Sequence, residues 1–195
     1  MPHISVPAAE LNTRLDRLRC AMTEKDPAWS MLLLDNTLDM YYFTGTMQDG
    51  ALVVTPDQAT LFVRRSFDVA KDESAFADIR PLGSFRGIRV VYPDIPETVY
   101  VAAKTMTLQK LSMLNKHLPF APKPMDGVLS ALRSVKSAYE LDCMRESGKL
   151  HRYVIEELAP AFLREGVSGA RRCSEICTAF VVLCVMAISR YNLCA

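Results

Sequence analysis

The sequence predicts an α/β fold, a mixed β-sheet flanked by helices and followed by a helical tail. Over roughly the first 120 residues, short apolar or β-branched runs alternate with amphipathic helical segments. Two of these runs flank a proline-containing turn, as in a β-hairpin. After about residue 127 the pattern is helical throughout. With 195 residues, 50% of them hydrophobic, the chain can build one good core or two small ones.

The first predicted element is a helix. Its apolar side chains recur at steps of three and four residues: Ala8, Leu11, Leu15, Leu18 and Met22. The charged residues between them, including Glu10 and Arg14, are assigned to the other faces, and the helix ends before Pro27. The continuous apolar run 29–34 is typical of a strand buried on both faces. A short helical or turn segment, 38–43, then leads to Gly45.

The next predicted elements are a hairpin, a helix and two further strands. Runs 51–54 and 60–63 form the hairpin around the turn that contains Pro56. A helix is expected over 66–76. Segments 88–92 and 98–102 are predicted as strands because both are rich in β-branched residues. Thr107 can cap a further helix, whose apolar side chains are Leu108, Leu111, Leu114 and Leu118.

Two prolines, Pro122 and Pro124, mark the end of the α/β part, because proline denies both helix and ladder hydrogen bonds. We therefore expect a first domain over residues 1–121, a linker over 122–136 and a helical segment over 137–195. Ser137 and Glu140 have the spacing of a capping box, which begins a long helix. The apolar run 176–188 is too short to span a bilayer and predicts a buried helix.

Composition excludes several classes of function. Lys+Arg 23 against Asp+Glu 22 leaves a net charge of +1, so no nucleic-acid partner is expected. The amino-terminal segment has no apolar stretch typical of a signal peptide or anchor, so we expect a cytoplasmic location and no membrane partner. The six cysteines are expected to stay reduced. Cys173, Cys177 and Cys184 are interpreted as packing residues rather than a metal site.

Most motifs that carry chemistry are missing from the sequence. It contains no G-x-S-x-G elbow, no dinucleotide fingerprint and no P-loop. The three histidines lie far apart, and Asp35 and Asp39 are interpreted as turn-forming or solvated charges. We therefore assign no catalytic residue and no metal ligand.

Two clusters stand above this background. Tyr41 and Tyr42 lie among aromatic residues just before Gly45, and Arg64 and Arg65 lie where a predicted strand ends. Guanidinium groups at a strand end can hold a carboxylate through two parallel hydrogen bonds. The alternative, core packing of the tyrosines and solvent exposure of the arginines, stays open.

Three stretches of the chain together suggest a family. Residues 39–46, 49–54 and 60–66 resemble the amino-terminal domain of the creatinase, prolidase and aminopeptidase P family. Residues 132–145 resemble the junction where that family enters its catalytic "pita-bread" domain, and 187–192 is similar to the segment that leads into the catalytic sheet. The resemblance thus covers nearly the whole chain.

The resemblance implies a domain that is inactive by itself. Peptidases of this family bind two metal ions through residues of the catalytic half, and no residue of this sequence matches those ligands, so no cofactor is expected in this chain. The implied partners are a second copy, in a homodimer, or a pita-bread catalytic domain. Tyr41, Tyr42, Arg64 and Arg65 are the implied substrate-entrance positions.

Three accounts of such a chain remain open. It is a truncated Xaa-Pro peptidase, half of a split two-chain enzyme, or a regulatory module that pairs with an intact paralogue. In the first account, the apolar run 176–188 is expected to fold back, dimerise or lower solubility.

Overall fold

The computed structural model of the protein describes residues 5–162, together with residues 174 and 178. The chain divides after Val135 into two units. The first, Val6–Val135, is the α/β part. The second begins at Lys136, and its described part is helical. Apart from Thr178, the apolar run 176–188 lies outside the described residues.

The first unit alternates helices and strands. In chain order its elements are α1 (Ala8–Lys25), β1 (Leu32–Leu34), α2 (Thr37–Thr44), β2 (Gly50–Val54), β3 (Ala59–Val63), α3 (Phe67–Glu73), β4 (Ile79–Pro81), a 3-10 turn (Phe85–Gly87), α4 (Ile88–Val91), β5 (Thr98–Val101), α5 (Leu108–Asn115), β6 (Ala121–Pro124) and α6 (Asp126–Ser134).

The strands form one mixed sheet of six strands in the order β4-β3-β2-β1-β5-β6. Strand β1 pairs antiparallel with β2 and parallel with β5. The β2–β3 hairpin is antiparallel, as predicted, with Leu52 opposite Leu61. The two outer pairs, β3–β4 and β5–β6, are parallel. The expected mixed sheet flanked by helices is therefore confirmed.

Both faces of the central strands are buried. One face packs against the segment that contains α4 and against α5, in a cluster that includes Leu33, Val53 and Val101. The residues before and after them in each strand point to the opposite face, because side chains alternate along a strand. That second face belongs to α1: the Tyr100 hydroxyl donates to Asp26, the residue that ends α1. The continuous apolar run of β1 thus reflects burial on both sides.

Helix α1 carries the predicted stripe, with one correction. Leu11, Leu15 and Leu18 are buried as expected. Arg14, assigned to an outer face, is only 5% exposed. Its guanidinium pairs with Glu10 and donates to the Tyr42 carbonyl, and this pairing offsets the desolvation of the charge.

The prediction of a strand over 88–92 is wrong, because residues 88–91 form the helix α4. The Ser84 side chain accepts from the Arg86 amide and starts a 3-10 turn that continues into α4. Phe85, Ile88 and Tyr92 are buried at helical spacing, whereas Val90 is 85% exposed. Tertiary packing therefore overrides the β-branched propensity of the segment.

The residues expected to form a linker, 122–136, carry regular structure. Ala121–Pro124 is strand β6, and Asp126–Ser134 is helix α6. Both prolines lie in β6, so the prediction that they interrupt the ladder is wrong. Proline is compatible with an edge strand, where one side of the backbone needs no donor. Strand β4 was not predicted, since its residues Ile79–Pro81 form no apolar run and two of the three are exposed.

The second unit begins with the predicted capping box. The Ser137 side chain accepts from the Glu140 amide, and the Glu140 carboxylate accepts from the Ser137 amide. Helix α7 (Ala138–Tyr153) follows, then a π-helical segment (Val154–Leu158) and α8 (Ala159–Phe162). Among the helices of the described residues, none combines the length and apolarity that a membrane crossing needs.

The β2–β3 ladder requires a glycine at its first pair. Gly50 lies opposite Val63, and a Cβ at this position would come within 1.9 Å of the Phe62 carbonyl oxygen. That oxygen is part of the backbone and cannot rotate away. Where the backbones of two neighbouring strands approach this closely, only glycine fits without a clash.

We predict that Gly50→Ala lowers the free energy of unfolding by about 1–3 kcal/mol, the range of a core overpacking substitution. Urea unfolding at neutral pH measures it. Gly83→Ala is the matched control, because a Cβ at Gly83 meets no atom within 4 Å. Equal unfolding midpoints for the two variants would contradict the close approach.

A charged cluster joins the end of α1 to strands β5 and β6. The Asp26 carboxylate accepts from Lys123 Nζ at 2.8 Å, from the Tyr100 hydroxyl at 2.7 Å and from the Ala28 amide at 3.0 Å. The Lys123 hydrogen bond, followed by those of Tyr100 and Ala28, lowers the pKa of Asp26 to about 2. The same contact with Asp26 raises the pKa of Lys123 to about 12.

We predict that Asp26→Asn destabilises the protein near neutral pH and that the difference shrinks in acid. The folded-state pKa lies below the ordinary value of 3.8, so the stabilisation is complete above pH 3.8 and disappears as pH falls toward 2. Urea midpoints between pH 7 and pH 2.5 measure it. Asp57→Asn, at an exposed turn position, is the control. If the difference in urea midpoint between wild type and Asp26→Asn stayed constant across this pH range, the lowered pKa of Asp26 would be refuted.

Candidate functional site

Helix α2 carries the two tyrosines of the predicted site. The Asn36 side chain accepts from the Leu38 amide and begins the helix, and Gly45 ends it in the left-handed region at φ 73°. Every α2 residue from Asp39 to Thr44 is buried. Both Tyr41 and Tyr42 therefore lie in the core of the first unit rather than on an open surface.

Tyr42 is held on several sides. Its ring meets Phe43 edge-on at 4.9 Å, and the Arg14 guanidinium lies 4.3 Å from the ring centroid. Its hydroxyl donates to the Leu132 carbonyl at 3.4 Å. The Arg17 guanidinium donates to the same carbonyl at 3.2 Å. Leu132 lies in the last turn of α6, where helix carbonyls lack intrahelical donors. Tyr42 thus fixes the end of α6 against α1 and α2.

Two carboxylates that the sequence analysis interpreted as solvated are in fact buried, and each forms an ion pair. Asp39 accepts from Arg133 at 2.8 Å, and its side chain is 6% exposed. Asp35 pairs with Lys110 at 2.9 Å, and its side chain is 5% exposed. The interpretation of both as solvated charges is therefore wrong. The side chains of Lys110 and Arg133 are 30% and 31% exposed, so each pair joins a buried carboxylate to a cation that still reaches solvent.

Asp35 has one further feature. Its Oδ1 atom has no hydrogen-bond partner among the described residues, while Lys110 Nζ contacts both the Oδ2 atom and the Asp35 carbonyl. Asp35 directly follows the buried strand β1. A carboxylate in this position is the signal that sequence reasoning could have used, since polar residues that follow a buried strand often lie inside the fold.

The two arginines of the predicted site lie at the end of β3. Arg64 is partly exposed; its Nε is 3.9 Å from Asp49, and its guanidinium is 5.0 Å from the Phe85 ring centroid. Arg65 is exposed. The next residue, Ser66, has a left-handed backbone at φ 56°, which is uncommon for a residue other than glycine. Strained backbone of this kind clusters at functional sites.

The structure therefore separates the four predicted residues by environment. Tyr41 and Tyr42 are buried in α2, and Tyr42 contacts α1 and α6. Arg64 and Arg65 face solvent beside β2 and the 3-10 turn. Core packing of the tyrosines and exposure of the arginines is the arrangement observed. The arginine pair is the accessible part, and its chemistry suits an anionic group.

A second polar cluster lies at the other end of β3. The Thr60 hydroxyl lies 2.7 Å from Asp78 and 3.0 Å from the Tyr92 hydroxyl. Burial raises the pKa of Asp78, but hydrogen bonds from Arg80 and Thr60 outweigh it and lower the pKa overall. Burial is also the main cause of the raised pKa of Tyr92. The cluster joins β3 to the residue that precedes β4 and to the residue that follows α4.

The described residues do not fit a metal ion. Within 5–162 no group of three or more His, Cys, Asp and Glu side chains is arranged to hold one. Cys20 and Cys143 are free thiols, and Cys173, Cys177 and Cys184 lie outside the described residues.

Solved structures share this fold. An Xaa-Pro dipeptidase from Bacillus anthracis matches with a TM-score of 0.74 and 19% identity, over 88% of this chain and 49% of that chain. Dipeptidase PepE from Mycobacterium ulcerans matches with a TM-score of 0.70 and 25% identity, over 92% of this chain and 51% of that chain. The chain thus spans about half the length of these proteins.

A third structure matches over nearly its entire length. The creatinase/prolidase N-terminal domain of an X-Pro dipeptidase from Streptococcus pyogenes has a TM-score of 0.52 and 17% identity, over 62% of this chain and 98% of that chain. Among curated proteins, no sequence matches this chain. Residues 14–135 match the family model of the creatinase/prolidase N-terminal domain. That span covers most of the first unit, and the chain belongs to the creatinase/prolidase N-terminal domain family.

Proposed function

We propose that this chain is a non-catalytic accessory domain of a metallopeptidase that cleaves Xaa-Pro peptides. In this role it takes part in a homodimer and borders the substrate entrance, while a separate pita-bread domain holds two divalent metal ions. The family match over 14–135 carries the proposal. Two of the similar structures described above are X-Pro dipeptidases, which supports the substrate class.

The pattern of charges supports an accessory role. The buried charged residues Arg14, Asp35 and Asp39 each form an ion pair that joins two turns or two elements. Such pairs fix α1, α2, α5 and α6 in place. Catalytic acids and bases instead need access to a substrate.

The surface beside Ser66 supports the entrance role. Arg64 lies 3.9 Å from Asp49 and 5.0 Å from the Phe85 ring centroid, and Arg65 is exposed next to it. An oriented guanidinium binds a carboxylate in two parallel hydrogen bonds, which a flexible ammonium does not reproduce. The free carboxylate of a short Xaa-Pro peptide is a group of that kind.

We predict that the purified 195-residue chain does not hydrolyse Xaa-Pro dipeptides, with or without added Mn²⁺ or Co²⁺. The reason is that dinuclear hydrolysis needs both cations to generate hydroxide, and the described residues offer no site for them. Proline release and metal content are measured on the same sample. A full complement of bound metal together with turnover would overturn the accessory role, whereas activity that appears only after a catalytic domain is added supports it.

We predict that Arg64→Ala and Arg65→Ala, in a complex of this chain with its catalytic domain, raise KM with little change in kcat. A hydrogen bond to a charged group contributes about 1.5–3 kcal/mol, which corresponds to a rise in KM of about 10- to 100-fold. Steady-state kinetics on an Xaa-Pro dipeptide measure it. Arg65→Lys is the conservative variant, and Lys116→Ala, an exposed residue after α5, is the control.

Unchanged KM values for both arginine variants would remove the entrance role but leave the dimer role standing. Sedimentation of the wild-type chain tests the latter, since a homodimer has twice the mass of the 21.8 kDa chain.

A further inference from the structure

The six-stranded sheet ends in two exposed strands, β4 and β6. All four residues of β6 are exposed, and two of the three residues of β4 are. An exposed edge strand is a template for pairing with another chain, and proteins with such edges carry features that prevent it. The "β6 edge" here means the backbone groups of Pro122 and Pro124 that face away from β5.

The hydrogen bonds of β6 define which residues face outward. The Ala121 amide donates to the Glu97 carbonyl at 2.6 Å, and the Met125 amide donates to the Val101 carbonyl at 3.1 Å. Successive backbone groups alternate in direction along a strand, so the Lys123 amide faces β5 as well. Positions 122 and 124 therefore face away from the sheet. Both are proline, and the β6 edge offers no N–H donor.

A lysine occupies one of the acceptors that remain. Lys25 Nζ donates to the Pro124 carbonyl at 3.1 Å, and the same ammonium lies 5.7 Å from the Tyr100 ring centroid. Lys25 is the last residue of α1, and the next residue, Asp26, pairs with Lys123 at 2.8 Å. The end of α1 is thus fixed against β6, and Lys25 is held in reach of its outer side.

The opposite edge shows the same pattern in part. The Leu61 amide donates to the Asp78 carbonyl at 2.9 Å, and the Leu82 amide donates to the Val63 carbonyl at 2.7 Å. By alternation, Ile79 and Pro81 face away from β3. Pro81 has no amide hydrogen, so Ile79 supplies the outward N–H of β4. Proline therefore occupies three of the four outward positions of the two edge strands.

We propose that the β6 edge is closed to a second copy of this chain, which would otherwise add its own β6 as an antiparallel seventh strand. An isologous pair of this kind needs each outward residue to donate and accept. The two prolines remove the donors, and Lys25 covers one acceptor. Homodimers of this chain accordingly form through surfaces other than the β6 edge.

The test restores the missing donors in the full 195-residue chain. Pro122→Ala and Pro124→Ala together supply two outward amides on an exposed strand. We expect the weight-average mass from sedimentation to rise at least twofold over wild type at the same concentration, since a single chain presents one such edge and a homodimer presents two. Hydrogen exchange should show that the amides at 122 and 124 become protected as concentration increases.

Pro119→Ala is the matched control, because Pro119 is exposed and precedes the strand. Far-UV circular dichroism establishes that each variant is folded, and Pro122→Ala alone, which leaves the Lys25 contact intact, decides the case if the double variant unfolds. Wild-type mass with unprotected amides at the new positions would overturn the proposal. Equal association of Pro119→Ala would overturn it as well, since the effect would not then depend on the edge.

Discussion

Strand β1 holds the two parts of the sheet together. On one side it pairs antiparallel with β2, which connects to β3 and β4, and on the other it pairs parallel with β5, which connects to β6. Its three leucines are at most 1% exposed. Burial of one such side chain contributes about 1.5–3 kcal/mol, so both faces of this short strand favour its central position. The sheet against which α5 and the α4 segment pack is thus continuous through β1.

The charged residues inside this unit connect its secondary-structure elements to one another. Arg14 lies within an apolar helix stripe and contacts α2, Asp39 connects α2 to α6, and Asp35 connects the end of β1 to α5. Each charge is compensated by a partner, as burial requires. These pairs place the covering helices relative to the sheet. Arg64 and Arg65, at the end of β3, are instead exposed to solvent.

Two parts of the surface of the first unit, the β6 edge and the end of β3, differ in the groups that they expose. The β6 edge lacks donors and is partly covered by Lys25, so it is poorly suited to association. The end of β3 instead presents exposed guanidinium groups beside a left-handed serine. The proposed accessory role would use both properties: a sheet that does not extend into neighbouring molecules, and a defined surface for a substrate or partner.

The sequence alone determined the features that depend on near neighbours. The α1 stripe, the β2–β3 hairpin and the capping box of Ser137 with Glu140 follow from contacts within a few residues, and the structure confirms them. The resemblance carried by residues 39–66 also pointed to the family, because those residues form contiguous elements of the sheet and its loops.

Only the tertiary structure decided the features whose partners are distant in the chain. Asp39 meets Arg133 across 94 positions, so no local pattern distinguishes it from a solvated aspartate. Segment 88–92 has a strand-like composition but becomes helical because its buried side chains face the core at helical spacing. The prolines of β6 are compatible with a strand only at an edge, and the edge is defined by the order of all six strands.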